Sequence, residues 1–166
     1  GKDKFNKALK AFMDMYRYQS SPYADIGTFV NMIKEETPED LQYLVDDTFT
    51  KITLYENKAK TAMAKQNDDG TYKVTFTVEA KKVFSDSLGN QTNAKLNDWL
   101  EVGILGESDL NGKKIEIPIL IEKVLITDSL TTFVYNIDQK PVKAGIDPMN
   151  KFVDRIVVDN LIKVEF

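Results

Sequence analysis

Chemistry in this chain of 166 residues falls to carboxylates, amides, hydroxyls and amines, because it contains neither His nor Cys. Without His, the commonest general base and the commonest metal ligand are both missing. Without Cys there is no thiolate ligand, thiol nucleophile or disulfide. A Ser or Thr nucleophile would need Lys as its base, and no Ser-x-x-Lys occurs. Paired carboxylates stand at Glu35-Glu36, Asp46-Asp47 and Asp68-Asp69. Their positions predict helix ends, caps and turns rather than an acid/base pair, which requires two carboxylates facing one cleft. Two oxygen-rich stretches have the composition of a calcium site: Asn67-Asp68-Asp69-Gly70, and Asp147, Asp154, Asp159 and Asn160 near the C-terminus. Neither has EF-hand spacing with its closing Glu, and turn chemistry is the better reading of both. Trp99 and Tyr135 suit a ligand platform, but a Trp in mid-strand reads more readily as core. No phosphate loop or dinucleotide fingerprint occurs. The expectation is therefore no catalytic, cofactor-binding or metal-binding residue in this chain.

Composition narrows the class further. Lys and Arg number 22 against 26 Asp and Glu, a formal charge of −4. That balance argues against a nucleic-acid binder, which needs clustered cations. With 42% hydrophobic and 29% charged residues the chain is of globular type. The longest apolar stretch, Ile115 to Ile126, is broken by Glu116, Pro118, Glu122 and Lys123. It is therefore not a membrane span. The N-terminus shows no leader pattern. Gly1, with no Met before it, predicts an excised piece of a longer chain.

The elements that must carry these groups change character near Phe49. Phe5, Ala8, Leu9, Phe12, Met13 and Tyr16 recur at helical spacing. Ser20-Ser21-Pro22 predicts a second helix start, with the face Tyr23, Ile26, Val30 and Ile33. Thr37-Pro38-Glu39-Asp40 predicts a third, with the stripe Leu41, Leu44 and Val45. Three helices this short bury little alone, so their apolar faces call for another surface. Beyond them Tyr72, Val74, Phe76 and Val78 alternate with polar residues, the period of a strand. Ile52 to Lys65 is its expected hairpin partner across Asn67 to Gly70. Further strands are predicted near 98–105, 115–126, 131–137 and 161–166, with turns at Leu88-Gly89-Asn90 and Asn111-Gly112. Pro118 predicts an edge strand or a bulge.

The fold expected is α+β. A short helical segment, residues 1–50, precedes an immunoglobulin/fibronectin-III-like antiparallel β-sandwich, residues 51–166. With no Gly- or Pro-rich linker between them, the helices are expected to pack directly on the strands. Residues 147–160 are predicted to close the sandwich as an ordered loop. Their apolar residues Phe152, Val153, Ile156, Val157 and Val158, with Ile146 before them, are expected to be largely buried.

Three stretches together resemble a known family. They are Asn6 to Phe12 with Tyr16-Arg17-Tyr18 and Pro22-Tyr23; Thr37 to Val45 with Phe49 and Ile52 to Asn57; and Lys140 to Pro148 with Asn150-Lys151, Asp154-Arg155 and Asp159-Asn160. This pattern is similar to the C-terminal end of M1-type (gluzincin) zinc aminopeptidases, in the Bacteroidetes subgroup fused to an ABC-transporter permease. The family's His-Glu-x-x-His zinc motif and Gly-x-Met-Glu-Asn substrate loop are absent, so no catalytic residue carries over. The resemblance implies a non-catalytic accessory part, with zinc held elsewhere in a membrane-anchored parent. Its partner would be the rest of that chain, with this part on the extracytoplasmic side and not inserted in the membrane. The alternative expectation is a free-standing Ig-like module that recognises carbohydrate or protein at a cell surface.

Overall fold

A computed structural model describes residues 1–166. The chain divides into two compact units, Gly1–Ile52 and Thr53–Phe166. No helix in either is long and apolar enough to cross a membrane.

The first unit holds helices α1 (Lys2–Tyr16), α2 (Ile26–Glu36) and α3 (Gln42–Phe49), the last preceded by a 3-10 turn at Glu39–Leu41. Its core is small: Ala8, Val30, Ile33 and Val45, with Phe29 packed against them. Phe29 gathers Phe5, Phe12 and Phe49 around its ring at centroid distances of 6.5, 5.1 and 6.2 Å.

Both predicted helix starts are displaced. α2 begins after Asp25, whose carboxylate accepts the Thr28 N–H at 2.8 Å. An ionised acceptor three residues before a free N–H outcompetes the Ser-Pro signal upstream. Ser21-Pro22 is a cis peptide outside the helix, and Tyr23 is solvent-exposed rather than on a buried face. Thr37, expected to open α3, instead closes α2: its hydroxyl donates to the Ile33 carbonyl at 2.7 Å. The Gln42 carboxamide then donates to the Lys34 and Thr37 carbonyls, both at 2.7 Å. The acceptors left over at the end of α2 are thus satisfied from the start of α3.

The second unit is built from ten strands. β2 (Lys58–Gln66), β3 (Tyr72–Glu79) and β8 (Leu130–Ile137) form one sheet in the order β2-β3-β8. β6 (Asp98–Leu110), β7 (Lys113–Ile126), β9 (Lys143–Ile146) and β10 (Leu161–Lys163) form a second, ordered β10-β9-β6-β7. The ladders within both are antiparallel. β1 (Ile52–Tyr55), β4 (Lys82–Ser85) and β5 (Gln91–Asn93) make a small third sheet. One core joins the two larger sheets. Val74, Phe76 and Val78 of β3 share it with Leu100, Val102 and Ile104 of β6 and with Ala144 and Ile146 of β9. The C-terminus straddles them: the Val164 N–H donates to the Val142 carbonyl at 2.8 Å, while the Glu165 N–H donates to the Ala62 carbonyl at 2.9 Å.

Local chemistry explains the joints. Asn111 and Gly112 both have positive φ, 54° and 77°, as the tight turn between β6 and β7 requires. Pro118 lies on β7, at the edge of its sheet and beside a register shift between Ile104 and Leu105, so its missing N–H leaves no gap in the ladder. The run 52–65 is not one strand. It breaks at Glu56-Asn57, and β1 and β2 enter different sheets. The loop 147–160 is ordered by polar groups rather than by apolar burial. Ile146 is buried and Phe152 packs on the core, but Val153, Ile156, Val157 and Val158 are exposed.

Candidate functional site

The break between β1 and β2 sets up a concavity of the second unit. Glu56 exchanges two backbone hydrogen bonds with Lys81, at 2.8 and 3.1 Å, which holds the break against the chain leading into β4. From the other side comes the loop 147–160. The Tyr55 N–H donates to the Val153 carbonyl at 2.9 Å. Asp154 accepts the Asn57 N–H at 2.9 Å through Oδ2 and the Ile156 N–H at 2.9 Å through Oδ1. With its amide oriented as the surrounding acceptors require, the buried Asn160 carboxamide donates to the Asn57 carbonyl at 2.9 Å and to Asp154 Oδ2 at 3.2 Å. Asn160 is brought close by Gly145, where a Cβ would sit 2.0 Å from the Asn160 carbonyl oxygen.

Around this frame lies a cleft of about 410 Å³, within the range typical of small-ligand sites, roughly 300–1,000 Å³. Its acidic lining is Glu56, Glu79, Asp154 and Asp159; its basic lining is Lys58, Lys81 and Arg155. Most of these charges are paired: Lys81 and Arg155 with Glu56 at 2.8 and 3.6 Å, Lys58 with Asp159 at 3.4 Å, and Glu79 with Lys60 at 3.0 Å. Such exposed pairs are each worth about 0–1 kcal/mol and exchange partners readily. Asn57 also lines the cleft and is only 2% exposed, yet neither its Oδ1 nor its Nδ2 has a hydrogen-bond partner. Asp159 Oδ1 is likewise buried without one.

The oxygen cluster read from the C-terminal sequence is thus divided. Asp154, Asp159 and Asn160 surround Asn57, whereas both Asp147 oxygens are occupied by the backbone N–H groups of Lys151 and Phe152 at 2.8 and 3.1 Å. Burial pushes the Asp147 carboxyl above the usual carboxylate range, helped by the charges of Glu101 and Asp154 and opposed by those two N–H groups. No three acidic side chains come together in a metal-holding geometry. Asn67 to Gly70 is the β2–β3 turn, with Asp69 accepting the Thr71 N–H at 2.9 Å and its hydroxyl at 2.6 Å. Glu36 pairs with Lys7 and Asp46 with Lys34, both at 2.5 Å, and Asp47 with Lys51 at 3.3 Å; Glu35 is exposed.

Trp99 and Tyr135 do not form one platform. They belong to different sheets. Tyr135 is half-buried against Phe76, and burial followed by a hydrogen bond to Glu122 raises its phenol pKa. Trp99 is not core: it is 43% exposed and sits opposite the equally open Leu125. The inward position beside it belongs to Asp98, 1% exposed, which takes the Lys82 ammonium at 2.9 Å and the Tyr55 hydroxyl at 3.1 Å. Side chains alternate along a strand, so an inward Asp98 turns Trp99 outward. Sequence reasoning missed this buried trio and also Asn57. The signal for Asp98 was its phase, since it falls in step with Leu100, Val102 and Ile104.

Comparison with protein-family models, curated proteins and solved structures finds no match to this chain.

Proposed function

We propose that this chain is a non-catalytic accessory part of an M1-like zinc aminopeptidase. In this reading it packs against the catalytic domain and shapes peptide access. The strand unit would be the immunoglobulin/fibronectin-III-like sandwich of that layout, which its three- and four-stranded sheets with a common core support. The observation that carries the proposal is the unfinished helical unit. Around a core of four buried residues, Phe5, Met13, Ile26 and Phe49 all remain 40% exposed or more. Helices with that much open apolar surface suit the end of a larger helical domain. Zinc would then belong to the parent's catalytic domain. With no His or Cys, this chain offers only oxygen and amine donors, a poor fit to a zinc site. The test is expression of the parent gene product with and without residues 1–166. Turnover of an aminoacyl anilide should depend on His-Glu-x-x-His upstream, and residues 1–166 alone should show neither turnover nor tight zinc binding by calorimetry. A parent gene without that motif, or hydrolysis by residues 1–166 alone, overturns the reading.

One observation favours a second reading, a cell-surface binding module for carbohydrate or protein. The Trp99 ring is open beside Leu125 on the outer face of its sheet. Saturable quenching of Trp99 fluorescence by oligosaccharides, lost in Trp99→Ala, would support it.

A further inference from the structure

We propose that the cleft between Glu56-Asn57 and the loop 147–160 binds an extended peptide segment through its main chain, with the Asn57 carboxamide pairing the N–H and the C=O of one ligand residue. A buried amide with no partner on either atom is rare in folded proteins, because each unmade bond carries a desolvation penalty. The complement of a carboxamide, an acceptor and a donor side by side in one plane, is the N–H and C=O of one residue in extended chain, which point to the same side. Asp159 Oδ1 is shielded without a partner like the Asn57 amide, and opening of the Lys58–Asp159 ion pair makes both available, the carboxylate oxygen to a further backbone N–H. The rim matches such an occupant. Lys58, Lys81 and Arg155 are half-exposed and held only by exchangeable ion pairs, so they can swing aside and re-pair with carboxylates on the ligand. Glu79, in an exposed pair with Lys60, does the same for a basic side chain. Other ligand classes fit less well. Four carboxylates against three cations disfavour a phosphate backbone. No aromatic ring lines the cleft to stack on a sugar face. The proposal stands on the cleft alone and holds whether or not the chain belongs to a peptidase.

The test is a titration of the intact chain, followed by amide correlation spectra, with the capped peptide Ac-Ala-Lys-Ala-Glu-Ala-NH2. A second peptide carries an N-methyl group on its central alanine, and an equimolar mixture of free Lys and Glu serves as the charge control. The expected result is saturable shifts of the Asn57 side-chain NH2 and of the Glu56, Lys81 and Asp154 amides, with the N-methylated peptide weaker by about tenfold or more. Asn57→Leu should weaken the capped peptide to the same degree. Should that variant not fold, the comparison of the two peptides on the unaltered chain decides. Absence of cleft shifts at millimolar peptide overturns the proposal. Equal affinity for the two peptides, or equal shifts from the free amino acids, also overturns it, because the site would then read charge and not main chain.

Discussion

Two buried charges in the strand unit differ in what holds them. Asp98 is ionically paired with Lys82 and hydrogen-bonded by Tyr55, deep beneath β4 and β6. Removing one partner strands the other in low dielectric, so Asp98→Ala should cost about 3–5 kcal/mol in urea denaturation. Lys82→Met with Asp98→Leu together should cost much less, since neither charge is then left alone. A small loss in the single variant would show that water reaches the pair. Asp147 has no cation of its own and is held by backbone N–H groups, and its carboxyl is raised above the ordinary value. The folded chain therefore holds that proton more tightly than the unfolded chain. The Asp147 contribution to stability is full below the ordinary carboxylate pKa and is lost as pH rises through the higher folded value. Asp69 and Asp86 run the other way. Hydrogen bonds from Thr71 and Asn90 hold their carboxyls low, so their contribution is lost only as pH falls through values below the ordinary one. Asp147→Asn should flatten the decline in stability on the alkaline side of the ordinary carboxylate pKa, measured as urea midpoints across a pH series. An unchanged slope would remove Asp147 as its source.

At the scale of elements, caps and breaks decide more than periodicity does. Asp25 starts α2, and Asp25→Ala should cost the helical unit about 1 kcal/mol, read as a lowered midpoint in circular dichroism at helical wavelengths. Ser21→Ala, at the start the sequence suggested, should leave that midpoint unmoved. This contrast shows where sequence reading succeeds. The helical spacing of Phe5 to Tyr16 and the alternation of Tyr72 to Val78 each report one face of one element, and both elements form where expected. Pro118 could be placed at an edge or bulge because its missing N–H is a local fact. The break at Glu56-Asn57 was not legible, because what divides β1 from β2 is the distant Asp154 carboxylate on the Asn57 N–H, 97 residues away. The same distance hid the cleft. The loop 147–160 was legible as ordered but misread in its cause. Its order comes from Asp147, Asp154 and Asn160 binding backbone groups, while Val153, Ile156 and Val158 stay in solvent. Phe152 is the exception, standing edge-on to Tyr55 at 4.7 Å. Phe152→Ala should still cost about 2 kcal/mol in urea melts, below the roughly 3–5 typical of a full core ring because Phe152 is only half-buried.

At the scale of the whole chain, two separate cores imply two cooperative transitions. Cooperativity follows shared burial, and no residue belongs to both the helical cluster and the cluster between the sheets. The helical cluster has four buried members, whereas the other includes Phe76, Leu100, Ile104, Ile126 and Ile146, all nearly or fully shielded. Small domains bury a smaller fraction of their surface and are correspondingly marginal. The helical unit should therefore unfold first. The sequence supplies separate reporters for the two events. Trp99, the single tryptophan, lies in the strand unit, and all three α-helices lie in the other. In urea, circular dichroism at helical wavelengths should fall at a lower midpoint than Trp99 fluorescence changes. Val45→Ala should move only the first curve and Leu100→Ala only the second, each substitution removing apolar contacts from one core. Midpoints that coincide by both probes, and that move together in both variants, would mean that the two units unfold as one.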